Sequence, residues 1–199
     1  MQFETGRTRQ KMRTRRELLA AARRLMERGA PVTVEAVAVE AEISRTTAYR
    51  YFADAEAMIL EAFLDGQTAS PEEVVGDSTD VRERVHRVLR YLTDLVRNAE
   101  TAYRTYLSNT LAGSVRQGAA VKDSQRAGRR LPMYEHALAP VRATMGEEDF
   151  RFLVLSLSAV SGIESLIALK DVCRVDDAMA DRVSASIVDA ILDRRLRGI

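Results

Sequence analysis

Nine consecutive residues, Ser44-Arg45-Thr46-Thr47-Ala48-Tyr49-Arg50-Tyr51-Phe52, bring together two guanidinium groups, three aliphatic hydroxyls and two phenols. Wound as a helix, Ala48 and Phe52 fall on one face, with Ile43 just before them. Arg45, Thr46, Tyr49 and Arg50 fall on the opposite face, and Thr47 and Tyr51 flank it. A face of this kind supplies hydrogen-bond donors and apolar contacts to base edges and phosphates. A helix of this length fits the major groove of a duplex, with its N-terminal end reaching deepest.

Such a helix needs a scaffold, and the residues before it provide one. Residues 1–12 are polar and basic without periodicity, which predicts a flexible arm. Over 14–28, Leu18, Ala22, Leu25 and Met26 recur at spacings of three and four, predicting a helix. Arg15, Arg16, Arg23 and Arg24 lie off that face, and Gly29 is placed to stop the helix. Thr33 can cap a second helix whose Val34, Val37, Ala38 and Ala41 point inward. Glu42-Ile43-Ser44 reads as a tight break, with Ser44 capping the short helix to Tyr51. Asp54 caps a following helix carrying Met58, Ile59, Ala62 and Phe63. Helix, short helix, tight turn, short helix is the helix-turn-helix layout.

The charge distribution agrees with an anionic partner. The 199 residues hold 30 Lys and Arg against 29 Asp and Glu, a net charge of +1. Residues 1–52 hold eleven Lys and Arg against six acids, whereas the remainder holds 19 against 23. An apolar fraction of 46% excludes a disordered chain, and only 10 Gly and 4 Pro favour long helices over an all-β fold. A lone cysteine, Cys173, closes no intramolecular disulfide. His86 and His136 have no companions at ligand spacing, so no metal site and no cofactor are expected. The basic N-terminus lacks the apolar core of a signal peptide. Residues 152–169 are long and apolar but include Glu164. A carboxylate at that depth costs about 2.5–3.5 kcal/mol on insertion, so a buried helix is expected rather than a membrane span. No phosphate-cradling Gly-rich loop, Gly-x-Ser-x-Gly elbow or His-Glu-x-x-His motif is present, and no catalytic residue is assigned.

Residues 14–64 resemble the N-terminal domain of the TetR family of bacterial transcriptional regulators. Residues 34–44 resemble that family's second helix and turn. Thr46-Thr47-Ala48-Tyr49-Arg50-Tyr51-Phe52 resembles its recognition helix with the Tyr-x-x-Phe spacing intact, and Ala53 to Ile59 the start of its fourth helix. The resemblance implies that Arg45 and Thr46 face bases and that Thr47, Tyr49 and Tyr51 bind phosphates. It also implies that Thr33 offers its hydroxyl and amide to a phosphate. Ser44 and Arg50 complete the expected DNA-binding set. Three positions depart from the family pattern. Glu42 stands where Gly is usual in the tight turn, Ala55 where Lys is usual, and Tyr51 where His is frequent.

Beyond residue 65 the pattern lapses through a Gly-, Ser- and Asp-rich stretch, 65–80, which marks the expected boundary. The expected division is an arm over 1–12, a DNA-binding domain over 13–64 and a helical ligand-binding and dimerisation domain over 65–199. Val81, Val85, Val88, Leu89, Leu92, Leu95 and Val96 predict a helix, and further helices follow over 99–112 and 132–145. Residues 113–130, with Arg116, Lys122, Arg126, Arg129 and Arg130, read equally as loop or irregular helix. Two long helices, about 147–172 and 176–196, close an all-α fold. Their small and apolar residues Ser158, Gly162, Ser165, Ala180, Ser184, Ile187 and Ile191 are the expected dimer interface. A homodimer would carry two recognition helices onto a palindrome. Tyr91, Tyr103, Tyr106, Met133, Tyr134, His136, Phe152 and Glu164 are the candidate liners of an effector pocket.

The leading expectation is a cytoplasmic, ligand-responsive regulator that binds a palindromic double-stranded DNA operator as a homodimer. The resemblance implies repression and release by a small-molecule effector. The alternative is a helical protein-interaction adaptor whose basic N-terminal face binds an acidic partner. Selection of a specific DNA sequence separates the two.

Overall fold

The computed structural model describes residues 2–66, 68–116 and 129–196, with side chains from Gln10 onward except those of residues 113, 114 and 116. Twelve α-helices and no strand occur among the described residues. The chain divides into two compact units, one formed by 1–68 with 101–127, the other by 69–100 with 128–199. Unit membership follows packing rather than order along the chain, so the described residues 101–116 group with the first unit despite lying beyond the expected boundary. Lys122 and Arg126 of the undecided stretch lie outside the described residues.

In the first unit α1 spans Gln2–Glu27, α2 Val34–Glu40, α3 Arg45–Tyr51 and α4 Ala55–Gly66. The expected arm is therefore helical from Gln2. No proline interrupts 2–27, and Gln10, Lys11, Met12 and Arg13 are good helix formers. Leu18, Leu19, Ala21, Ala22 and Leu25 of α1 pack with Val37, Ala38, Ala48, Phe52, Met58 and Ala62 into one core. The three caps expected from sequence are all present. Thr33 Oγ1 accepts from the Ala36 amide at 3.1 Å, Ser44 Oγ from Thr47 at 3.2 Å and Asp54 Oδ1 from Ala57 at 2.7 Å.

In the second unit α5 spans Pro71–Val75, α6 Val81–Asn98, α8 Arg130–Ala137 and α9 Arg142–Met145. It also holds α10 over Glu147–Ala159, α11 over Ile163–Ile167 and α12 over Asp177–Arg195. α7, Glu100–Arg116, falls almost wholly in the first unit. α5 replaces part of the expected loop. Its signal is the capping box of Ser70 and Glu73 with Pro71 in the first turn. The core of this unit joins Val85, Val88, Leu89 and Leu92 to Met133, Tyr134, Phe150, Leu153, Leu157, Val188 and Leu192.

The single helix expected over 147–172 is two. The break falls at Val160–Gly162, where Gly162 adopts a φ of 88° and the axes bend by 45°. A π-helical turn, Ala168–Val172, follows α11. Among the described residues no single helix is long and apolar enough to cross a membrane. The bent pair of α10 and α11 meets the criteria of length and composition only when taken together.

Candidate nucleic-acid interface

The turn between α2 and α3 sets the direction of the recognition helix. Ile43 N–H donates to Ala38 O at 2.9 Å and Glu42 N–H to Val39 O at 3.1 Å, the Schellman pattern at a helix C-terminus. It requires a left-handed residue, and Glu42 supplies it with a φ of 55°. Ile43 then packs on the first-unit core, and Ser44 caps α3.

α3 is divided as its helical wheel requires. Ala48 is completely buried and Phe52 nearly so, while Arg45, Thr46, Tyr49 and Arg50 are exposed and Thr47 and Tyr51 half-buried. Ser44 Oγ, at the start of this face, donates to Thr47 Oγ1 at 2.9 Å. The Arg50 guanidinium lies 5.7 Å from the centre of the Tyr51 ring. Apart from its attraction to Glu35, Arg45 makes no hydrogen bond among the described residues. Its five N–H donors are presented outward.

A buried arginine holds this helix in place. Arg15 of α1 donates Nε to Glu61 Oε1 at 2.7 Å, and its NH2 group donates to Glu61 Oε2. Its other terminal nitrogen donates to the Tyr51 carbonyl at 3.3 Å, and its guanidinium stacks 4.4 Å from the centre of the Phe52 ring. The two side chains are only 9% and 2% exposed. One side chain thus ties α1 to α4 and to the C-terminus of α3. Periodicity placed Arg15 off the apolar face, and the structure corrects that. A guanidinium buries when a carboxylate and a carbonyl satisfy it and an aromatic ring covers its face.

Other basic residues of the N-terminal segment are also paired internally. Arg23 bonds Asp65, Arg24 bonds Glu40 at 2.8 Å, Arg28 bonds the same carboxylate at 2.7 Å, and Arg13 bonds Glu17 at 2.9 Å. The two guanidinium groups hold the Glu40 carboxyl at about 2, well below its ordinary 4.5. The basic surplus of 1–52 is therefore partly neutralised by Glu61 and Asp65 from outside that segment. Its remaining expression on the recognition face is Arg45 and Arg50.

One acid shares that face. Tyr49, 46% exposed, donates its hydroxyl to Glu35 Oε1 in the first turn of α2. The bond lowers the Glu35 carboxyl below its usual range, with help from its own backbone, Thr33 and Arg45, and raises the Tyr49 phenol. Glu35 was not among the residues expected at this face. The signal for it is α2's N-terminal turn lying alongside the middle of α3.

The residues expected to line an effector pocket are dispersed. Met133 and Tyr134 are sealed in the core of the second unit, where burial pushes the Tyr134 phenol up to about 12. Tyr91 accepts the Ala69 amide at 2.6 Å, and the His136 carbonyl accepts from Arg84 at 2.7 Å. Phe152 is 52% exposed beneath the Arg195 guanidinium. Glu164 pairs with Arg130 at 3.2 Å. Tyr103 and Tyr106 belong to the other unit. What opens instead is a groove of about 330 Å³ between α6 and α12, bordered by His86, Arg90, Thr93, Asp94, Arg182 and Ser184.

The residues expected at a dimer interface are partly turned inward. Gly162, Ser165, Ala180 and Ser184 border a small cleft against Leu89, Thr93 and Val96 of α6. The Ser158 carbonyl accepts from Arg130 at 2.9 Å, and Ile191 packs against the core. Ile187 alone of that set stands exposed, at 39%. Phe152 and Leu155 of α10 and Met179 of α12 are exposed as well. Small residues let two helices of one chain approach each other as readily as two chains, and here α6 fills that role.

A capped helix-turn-helix with a polar, partly basic outer face on its second helix is a DNA-binding domain. Residues 18–62 match the family model of bacterial regulatory proteins, tetR family, a match confined to the N-terminal domain that supports membership of that family. The protein is a DNA-binding transcriptional regulator. No curated protein and no solved structure matches the chain.

Proposed function

We propose that this regulator binds a palindromic operator as a homodimer, represses transcription and is released by a small-molecule effector. In this reading 13–64 bind DNA and 65–199 carry the dimer and sensor functions. The observation that carries the reading is the division of α3. Ala48 and Phe52 are locked into the core, while Arg45, Thr46, Tyr49 and Arg50 project from it. A fixed helix with an exposed polar face is what base reading requires. The exposed apolar side chains of α10 and α12 support a second copy as partner, since closed two-fold symmetry pairs one patch with itself. The groove between α6 and α12 supports the sensor reading, its volume falling in the range of small-molecule sites.

Selection of bound duplexes from a random DNA pool at near-physiological salt tests the reading. Enrichment of a two-fold symmetric site, with half-sites about one helical turn or a multiple apart, is expected. Arg45→Ala should then change which bases are preferred at one position of each half-site. Equal losses on specific and random DNA would overturn base reading by Arg45. A folded protein that enriches no sequence would overturn specific binding and leave the acidic-partner adaptor in its place. Sedimentation showing a monomer at the concentrations used for binding would overturn the dimer.

A further inference from the structure

We propose that Glu35 is an intramolecular competitor of the DNA backbone, holding the Tyr49 hydroxyl that a phosphate would otherwise receive. The inference rests on the DNA-binding reading and concerns how that face is regulated. A phenol has one proton to donate. In the free protein that proton goes to Glu35 Oε1, across from α2 to the exposed face of α3. A phosphate oxygen at Tyr49 must therefore displace the carboxylate. The carboxylate is an anion standing where a second anion would arrive, so it opposes the phosphate by charge as well as by occupancy.

Thr33, Tyr49 and Arg45 all favour the charged form of Glu35, so the acid is ionised at neutral pH and its pull on Tyr49 persists. Its charge also lies close enough to attract Arg45, one of the two guanidinium groups on this face, without an ion pair between them. A single residue thus occupies a phosphate donor and lowers the positive potential of the recognition helix. The acid also accepts from its own backbone in the first turn of α2, a local role that the melts must separate from the clamp. Thr33 Oγ1 caps α2 through the Ala36 amide, and α3 is capped by Ser44. The contact therefore restrains binding that relies on the phosphate backbone.

Replacement separates the clamp from a structural role. Binding of wild type, Glu35→Ala, Tyr49→Phe and the double variant to a random-sequence duplex is measured at fixed salt, with thermal melts alongside. Glu35→Ala is expected to bind about three- to fivefold more tightly, the scale of roughly one net hydrogen bond. It should melt close to wild type. In the Tyr49→Phe background the gain should shrink, because no hydroxyl remains to be released. An equal gain in both backgrounds would show that Glu35 acts by charge alone and would overturn the clamp. Wild-type binding with no gain, or a loss, in Glu35→Ala would also overturn it, marking Glu35 as a contact that DNA uses. Failure of all four proteins to bind any duplex at low salt would instead overturn the DNA-binding reading itself.

Discussion

Two arginines hold breaks in the helical chain, one in each unit, and they do so at different depths. Arg15 reaches Glu61, the Tyr51 carbonyl and the Phe52 ring from a site almost closed to water. Arg130 reaches the carbonyls of Ser158 and Ser161 and the Glu164 carboxylate, with both charged side chains about one-third exposed. Each satisfies carbonyls left open where a helix ends. The difference lies in what removal would leave behind. At Arg15 it would be a carboxylate buried without its cation. At Arg130 it would be a carboxylate side chain still about one-third exposed, beside the carbonyl of the buried Ser161. Depth, rather than the number of hydrogen bonds, decides how strongly each arginine matters.

The largest test of that contrast is Arg15→Ala, expected to destabilise the protein by about 3–5 kcal/mol in chemical denaturation because the buried Glu61 loses the guanidinium paired with it. DNA binding should fall with it, as α3 loses its tie to α1. Arg130→Ala should cost about 2 kcal/mol, the scale of hydrogen bonds from a charged donor. If the two variants proved equally destabilised, burial would not be what separates them.

A smaller comparison lies within the first unit. The ends of α1 and α2 use the same hydrogen-bond pattern. Gly29 N–H donates to Met26 O and Ala30 N–H to Leu25 O, each at 3.0 Å, matching the bonds of Glu42 and Ile43. Both turns need a left-handed residue, met by Gly29 at 65° in one and by Glu42 at 55° in the other. Glu42→Gly should raise stability by about 1 kcal/mol and Gly29→Ala lower it by about the same, since a Cβ at Gly29 meets nothing within 4 Å and only the backbone angle is at issue. Opposite signs in paired melting curves would confirm the symmetry. A loss in Glu42→Gly would mean that the carboxylate contributes something the backbone angle does not explain.

The smallest expected effect is on acid stability. The Glu40 carboxyl, held at about 2 by Arg28 and Arg24, contributes stability above its ordinary value of 4.5. That contribution declines as pH falls from there through about 2. Glu40→Gln should therefore flatten the stability profile in this window and leave the shape above it unchanged. A profile that falls with pH as steeply in the variant would assign the acid sensitivity to other carboxylates.

The legible part of the molecule was the part whose interactions are local. Thr33, Ser44 and Asp54 could be read as caps because a cap bonds to amides two or three residues on. The wheel of α3 could be read because Ala48 and Phe52 are separated by about one turn. Even the strained turn at Glu42 was visible, as an acid where a tight turn favours glycine. α5 left a local signature in Ser70, Pro71 and Glu73, obscured by the Gly- and Asp-rich residues around it. The dimer stripe and the effector liners rest on no such local pattern. Ala180 and Ser184 offer a small-residue face, and spacing alone cannot say whether α6 or another chain fills it. Tyr134 and Tyr91 are equally plausible in a cavity or a packed core, and packing buried the first and gave the second an amide.

The sequence by itself determined the helical class, the caps, the turn and the outward chemistry of α3. Each depends on residues within a few positions of one another, where backbone geometry leaves few choices. Only the tertiary structure decided that Arg15 is buried, that Arg24 and Arg28 share Glu40, that the last apolar run bends at Gly162 and that Glu35 holds Tyr49. Those outcomes depend on which charges and surfaces meet across distances that no local pattern encodes, and a long arginine can satisfy its donors in many directions until packing selects one.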